Sequence, residues 1–175
     1  NKHDTIGEIN PYMSGVVDRP TEKGAFSYGL RGVARANDTA PNELRHDLRA
    51  LGDLSLGTPR LRLSGSALVL DANQSPFQQT IDPALTTPGN RVLYRRFDLS
   101  PYYVGQLGNV ADYQLRYRFV TSNDLIPGVR STDHAVSAWV RSADNFNTVG
   151  WELTGQANRR SFENDFAYNY SVFAG

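Results

Sequence analysis

The chain has 175 residues, 39% of them apolar, with 18 basic and 18 acidic side chains that leave its formal charge at zero, and it contains no cysteine. That length suits one all-β domain over residues 1–175 and is cramped for two. The absence of long apolar runs excludes a helical membrane span, which needs roughly 20 such residues; zero Cys excludes disulfides and thiolate metal sites, and the neutral total argues against a nucleic-acid partner.

A membrane β-barrel survives these exclusions, because polar inward positions dilute its mean hydropathy. Alternating segments recur along the chain with turn residues between them and predict about nine strands. In order they cover 8–17, 25–36, 44–56, 60–70, 92–107, 111–121, 134–141, 149–157 and 166–174. The clearest reads ADYQLRYRFV from Ala111 to Val120, with Ala111, Tyr113, Leu115, Tyr117 and Phe119 on one side and Asp112, Gln114, Arg116 and Arg118 on the other. Several segments reach the roughly 9 to 11 residues that cross a bilayer at a tilt, longer than the 5 to 6 typical of globular strands. Short links at 57–59, 108–109 and around 144–147 alternate with longer polar ones at 37–43, 71–91 and 122–133. In an up-and-down meander this gathers long loops at one end, as in transmembrane barrels.

Fixing one parity per strand gathers Phe26, Leu48, Leu63, Phe97, Leu99, Leu115, Val136 and Leu153 on an apolar face with the aromatic residues Tyr28, Tyr103, Tyr113, Tyr117, Trp151 and Tyr170. These six are the expected lipid-facing aromatics. Tyr28, Tyr103, Tyr113, Trp151 and Tyr170 are expected near the short turns, and Phe97, Phe119 and Phe166 near the long loops, as two aromatic girdles. The opposite face gathers Arg31, Arg35, Arg45, Arg49, Arg60, Arg62, Arg96, Arg116, Arg118 and Arg141 against Asp47, Asp53, Asp98, Asp112 and Glu152, a surplus of five positive charges. These ten arginines are the expected lumen lining and path for anions. The bland reading is that arginines and acids of neighbouring strands neutralise each other and only stiffen the wall. Arg95 and Arg159 fall on the apolar parity at the long-loop end, where a basic side chain snorkels toward a headgroup layer. Leu68 and Leu70 fall on the polar parity. Pro101 removes a ladder donor and predicts a bulge or local edge.

Chemistry is sparse. His3, His46 and His134 have no partners at metal-ligand spacing, no nucleophile elbow or Gly-rich phosphate loop occurs, and Asn37-Asp38-Thr39 reads as a loop. No catalytic residue, metal site or cofactor is expected, and the protein is not expected to be an enzyme.

The run FDLSPYYVGQLGNVADYQLRYRF, Phe97 to Phe119, resembles the outer-membrane β-barrel proteins associated with PEP-CTERM, exosortase and exopolysaccharide systems. The matching steps are Ser100-Pro101-Tyr102, Leu107-Gly108, and Ala111 with Leu115, Arg116 and Tyr117; residues 8–11, 67–76 and 146–153 add weaker likeness. The resemblance implies a bacterial outer-membrane location, a lipid-bilayer partner and a secretion setting with other envelope proteins, and it carries over no catalytic residue. Family members are longer barrels, so the chain is expected to supply the N-terminal portion of one; nine strands do not close a bacterial barrel of even strand number.

The expectation is therefore an antiparallel up-and-down transmembrane β-barrel, or a large piece of one, whose basic lumen passes or holds anionic solutes or polysaccharide. The alternatives are a non-conducting structural or assembly protein of the outer membrane, and a soluble lipocalin-like carrier with the apolar parity turned inward.

Overall fold

Strict alternation of side chains demands a sheet whose two faces differ, and the computed structural model shows one. It describes residues 5–36, 42–73, 91–123, 130–143, 149–162 and 165–174, with the side chains of 72–73, 91–92, 165–170 and 174 excepted. His3, Asn37-Asp38-Thr39 and most of the 71–91 link lie outside them. The elements are β1 (Ile6–Ile9), β2 (Tyr12–Asp18), β3 (Glu22–Arg35), β4 (Glu43–Ser55), β5 (Leu61–Asn73), β6 (Arg91–Leu107), β7 (Ala111–Asn123), β8 (Arg130–Ser142), β9 (Glu152–Phe162) and β10 (Asp165–Ala174). No helix occurs among the described residues. All pairings are antiparallel, each strand from β3 onward bonded to the next in sequence, in a single sheet that does not close.

Ten strands stand where nine were expected because the first is split. β1 and β2 share one register on β3, Ile9 facing Gly32 and Tyr12 facing Gly29, and the break falls at Asn10-Pro11. Proline has no N–H to give the ladder. The Pro11 carbonyl still accepts from Leu30 N at 3.0 Å, which keeps the halves aligned.

Tight turns close one end. Arg19 and Glu22 exchange backbone bonds of 2.8 and 3.2 Å around Pro20-Thr21. Gly57 and Gly108 adopt φ of 75° and 58°, a region that only glycine enters without steric cost. At the other end strands outrun expectation, since the 71–91 link gives up residues 71–73 to β5 and β9 continues to Phe162 rather than 157. The short-and-long alternation is consequently weaker than the sequence suggests. The β8–β9 link covers 143–151, the β7–β8 link only 124–129, and the β9–β10 link only 163–164.

Pro101 makes no bulge, but it does leave a short local edge toward β7. The β6–β7 register is the same on both sides of it, Leu99 facing Phe119 and Tyr102 facing Arg116, while the rows at Ser100 and Pro101 drop out of that ladder. Both residues remain paired with β5. The missing N–H removes a donor from that ladder without shifting its register.

No large side chain is fully buried among the described residues; the buried apolar ones are Val33, Ala111 and Val120. On the apolar face rings cover glycines instead. A Cβ on Gly105 would lie 2.5 Å from the Tyr113 ring, and one on Gly15 would lie 2.5 Å from Phe26.

Replacing Pro101 with Ala supplies the absent donor, so amide exchange in peptides covering 97–103 and 115–119 is expected to slow, read by mass spectrometry. Unchanged exchange there contradicts the lost-donor account.

Candidate functional site

The register brings the ten arginines onto one face, because each strand presents alternate residues and no ladder slips. Arg60 precedes β5 but keeps its row, with its carbonyl accepting from Val104 N at 2.9 Å. A polar chain at the centre of this face joins β4, β5, β6 and β7. Arg62 clasps Asp53 through Nε and Nη2, and the Tyr102 hydroxyl donates to the same carboxylate at 2.8 Å. Arg116, directly opposite Tyr102, lies over its ring at 4.3 Å from the centroid, a cation–π contact. Its Nη1 donates to Ser64 Oγ at 3.5 Å, and Ser64 Oγ donates to the Ser100 carbonyl at 3.3 Å. Ser100, 3% exposed, donates through Oγ to Asp98 Oδ1 at 3.1 Å, and Arg118 Nε holds Asp98 Oδ2 at 2.7 Å. Ser100 is thus the most shielded polar residue of the face, at the rung that Pro101 omits.

Further ion pairs repeat the theme. Arg31 meets Glu8 at 2.7 Å, Arg49 meets Asp47 at 3.2 Å, Arg141 meets Asp112 at 3.8 Å and Arg160 meets Asp133 at 2.9 Å. At the long-loop end Glu43 is shared by Arg45 at 2.8 Å and Arg35 at 3.5 Å, with all three side chains at most 14% exposed.

These pairs revise the expected charge. The missing acids were expected mainly in loops and turns, yet Glu8, Asp18, Glu43 and Asp133 stand on this face, along with Lys23 and Arg160. Asp18, Glu43 and Asp133 each lie one residue beyond an expected strand end, the margin at which element boundaries are least legible. With twelve basic and nine acidic groups on described side chains, the surplus is three rather than five. Among the described residues Arg60, Arg96 and Arg116 have no carboxylate within ion-pair distance, while the other seven expected arginines do. The face is also unevenly polar. Tyr12, Val16, Leu51 and Leu68 line one apolar hollow across β2–β5, the first three more than 60% exposed, and Leu70 adjoins it.

The register places Tyr28, Tyr103, Tyr113, Tyr117, Trp151 and Tyr170 on the opposite face, the side chain of Tyr170 lying outside the described ones, as does that of Phe166. Tyr28 is midway along β3 rather than near its turn, because β3 begins at Glu22, three residues earlier than expected. Tyr103 and Tyr113 pack near the turns with centroids 6.0 Å apart. Two tyrosine–histidine pairs recur diagonally between strands, Tyr28 with His46 at 2.8 Å and Tyr117 with His134 at 2.7 Å. Neither histidine belongs to a group of three metal-ligating side chains among the described residues.

No family, curated protein or solved structure matches this chain.

Glu43 and Asp47 provide a contrast in shielding. Removing one partner of a shielded ion group leaves uncompensated charge and costs about 3 kcal/mol, whereas an exposed pair contributes under about 1 kcal/mol. Glu43→Gln is expected to lower the denaturant midpoint clearly and Asp47→Asn barely. The reverse order contradicts the assigned burial.

Proposed function

We propose that the chain forms wall of a bacterial outer-membrane β-barrel, with its apolar face against lipid hydrocarbon and its arginine face lining an aqueous interior that passes or holds anionic solutes or acidic polysaccharide. The observation that carries this reading is the uncovered apolar face. Leu99, Leu115, Val136 and Leu153 are 47 to 52% exposed, and no helix or second sheet packs over them among the described residues. In water such a continuous apolar surface is unfavourable, and in a bilayer it is matched. A soluble carrier of this length would bury large side chains in a packed interior, and the described residues bury none fully.

The anion preference rests on Arg60, Arg96 and Arg116, the three expected arginines without a nearby carboxylate among the described residues. A low-dielectric wall focuses their field across an enclosed space. The resemblance of 97–119 to exopolysaccharide-associated barrels supports a secretion setting, with other envelope proteins as partners. The extensive ion pairing favours a second reading, a structural or assembly wall that does not conduct.

In planar bilayers the protein is expected to conduct with anion selectivity. Arg96→Glu together with Arg116→Glu is expected to reduce or reverse it, while Arg118→Gln, already neutralised by Asp98, has a smaller effect. Absence of conductance supports the assembly reading, and stable monodispersity without detergent removes both in favour of a soluble carrier.

A further inference from the structure

Among the described side chains three arginines stand on the apolar face rather than the polar one, namely Arg95, Arg130 and Arg159, all toward the long-loop end. The β6–β7 register, carried one row beyond Arg96 facing Ser122, sets Arg95 level with Asn123 and so with Arg130. The residue between them, Asn123, pairs with Arg130, accepts from Arg95 N through Oδ1 at 2.5 Å and donates through Nδ2 to the Leu93 carbonyl at 2.6 Å. Two strand spacings of about 4.8 Å set the two arginine Cα atoms roughly 10 Å apart. Between them the surface dips into a hollow lined by Arg95, Phe97, Thr121, Asn123 and Arg130. The nearest acid in the strands on this face is Asp71, opposite Leu93 on β5, and neither guanidinium has a carboxylate within 4.0 Å among the described residues.

A second, apolar hollow adjoins the first through Phe97 and runs toward the turns. Ala50, Gly52, Gly65 and Ala67 form its floor, and Phe97, Leu99 and Phe119 wall it. Ala50 faces Ala67 and Gly52 faces Gly65 across β4 and β5, so four small residues lie side by side and leave a trough between larger neighbours. A cationic hollow opening into an apolar trough is the shape of an amphipathic anion.

We propose that this outer surface binds one phosphate-bearing lipid, with the headgroup phosphate held between Arg95 and Arg130, Thr121 offering its hydroxyl, and one acyl chain lying along the Ala50–Ala67 trough. Guanidinium forks match phosphate oxygens in pairs, and small side chains admit a methylene chain close to the backbone. The inference rests on the apolar face meeting lipid and adds which lipid chemistry it selects.

The test uses the full chain in phosphatidylcholine nanodiscs containing a minor fraction of phosphatidic acid, with retained lipid counted by native mass spectrometry. Wild type is expected to retain phosphatidic acid over phosphatidylcholine, and R95Q/R130Q to lose about tenfold to thirtyfold of that preference, near a factor of five for each basic residue at an anionic surface. R95K/R130K should keep much of it. A67F, which fills the trough and leaves both arginines, should weaken retention of long-chain more than short-chain phosphatidic acid. Equal preference in wild type and R95Q/R130Q, or retention insensitive to A67F, overturns the site while leaving membrane insertion intact. A wild-type chain that never enters the nanodiscs overturns the site and the membrane reading together.

Discussion

Register is the constraint on which everything else in this sheet depends. β5 and β6 stay in step over thirteen rows from Leu61 facing Tyr103 to Asn73 facing Arg91, and β7 and β8 over thirteen more from Ala111 facing Ser142 to Asn123 facing Arg130. Side chains alternate with a period of two, so a slip by one residue in any ladder would move that strand's arginines among the leucines. The turns hold the step. Gly57 and Gly108 take the backbone conformations that let 56–60 and 108–110 reverse the chain without adding a residue to either strand.

The polar chain from Arg62 through Tyr102 and Arg116 to Arg118 follows from that alignment rather than creating it. Its members are drawn from four strands and meet because Arg62 faces Tyr102 and Tyr102 faces Arg116 on one row. Exposed ion pairs contribute little individually, so cohesion comes mainly from the backbone ladders, and the charges determine what the face attracts. Tyr102 is the pivot, since its hydroxyl serves an anion and its ring a cation.

Face assignment and the identity of the ten arginines are legible in the sequence, because a two-residue period over ten or more positions is hard to mistake, whereas the strand count falls one short where Asn10-Pro11 splits the first strand. Strand ends are not legible. Glu43 and Asp133 each stand one residue before an expected strand, yet β4 begins one row earlier and β8 four rows earlier than the pattern predicts, and each carboxylate neutralises an arginine. Diagonal partners were illegible as well. Tyr117 with His134, or Asp53 with Arg62, requires knowing the register to one residue, which two separate strand readings do not supply. Pro101 was recognised as a lost donor, but whether the neighbouring strands absorb that loss or buckle depends on packing rather than on the proline itself.

The two margins of the sheet are chemically unequal. At the first margin the strand is split at Asn10-Pro11 into runs of four and seven residues, and because the Pro11 carbonyl accepts from Leu30 N, the N–H that proline lacks would lie on the β3 side rather than the outer one. β10 presents ten residues without interruption and without proline. Among the described residues one border is thus a strand in two pieces whose lost donor faces inward, and the other is a single uninterrupted strand.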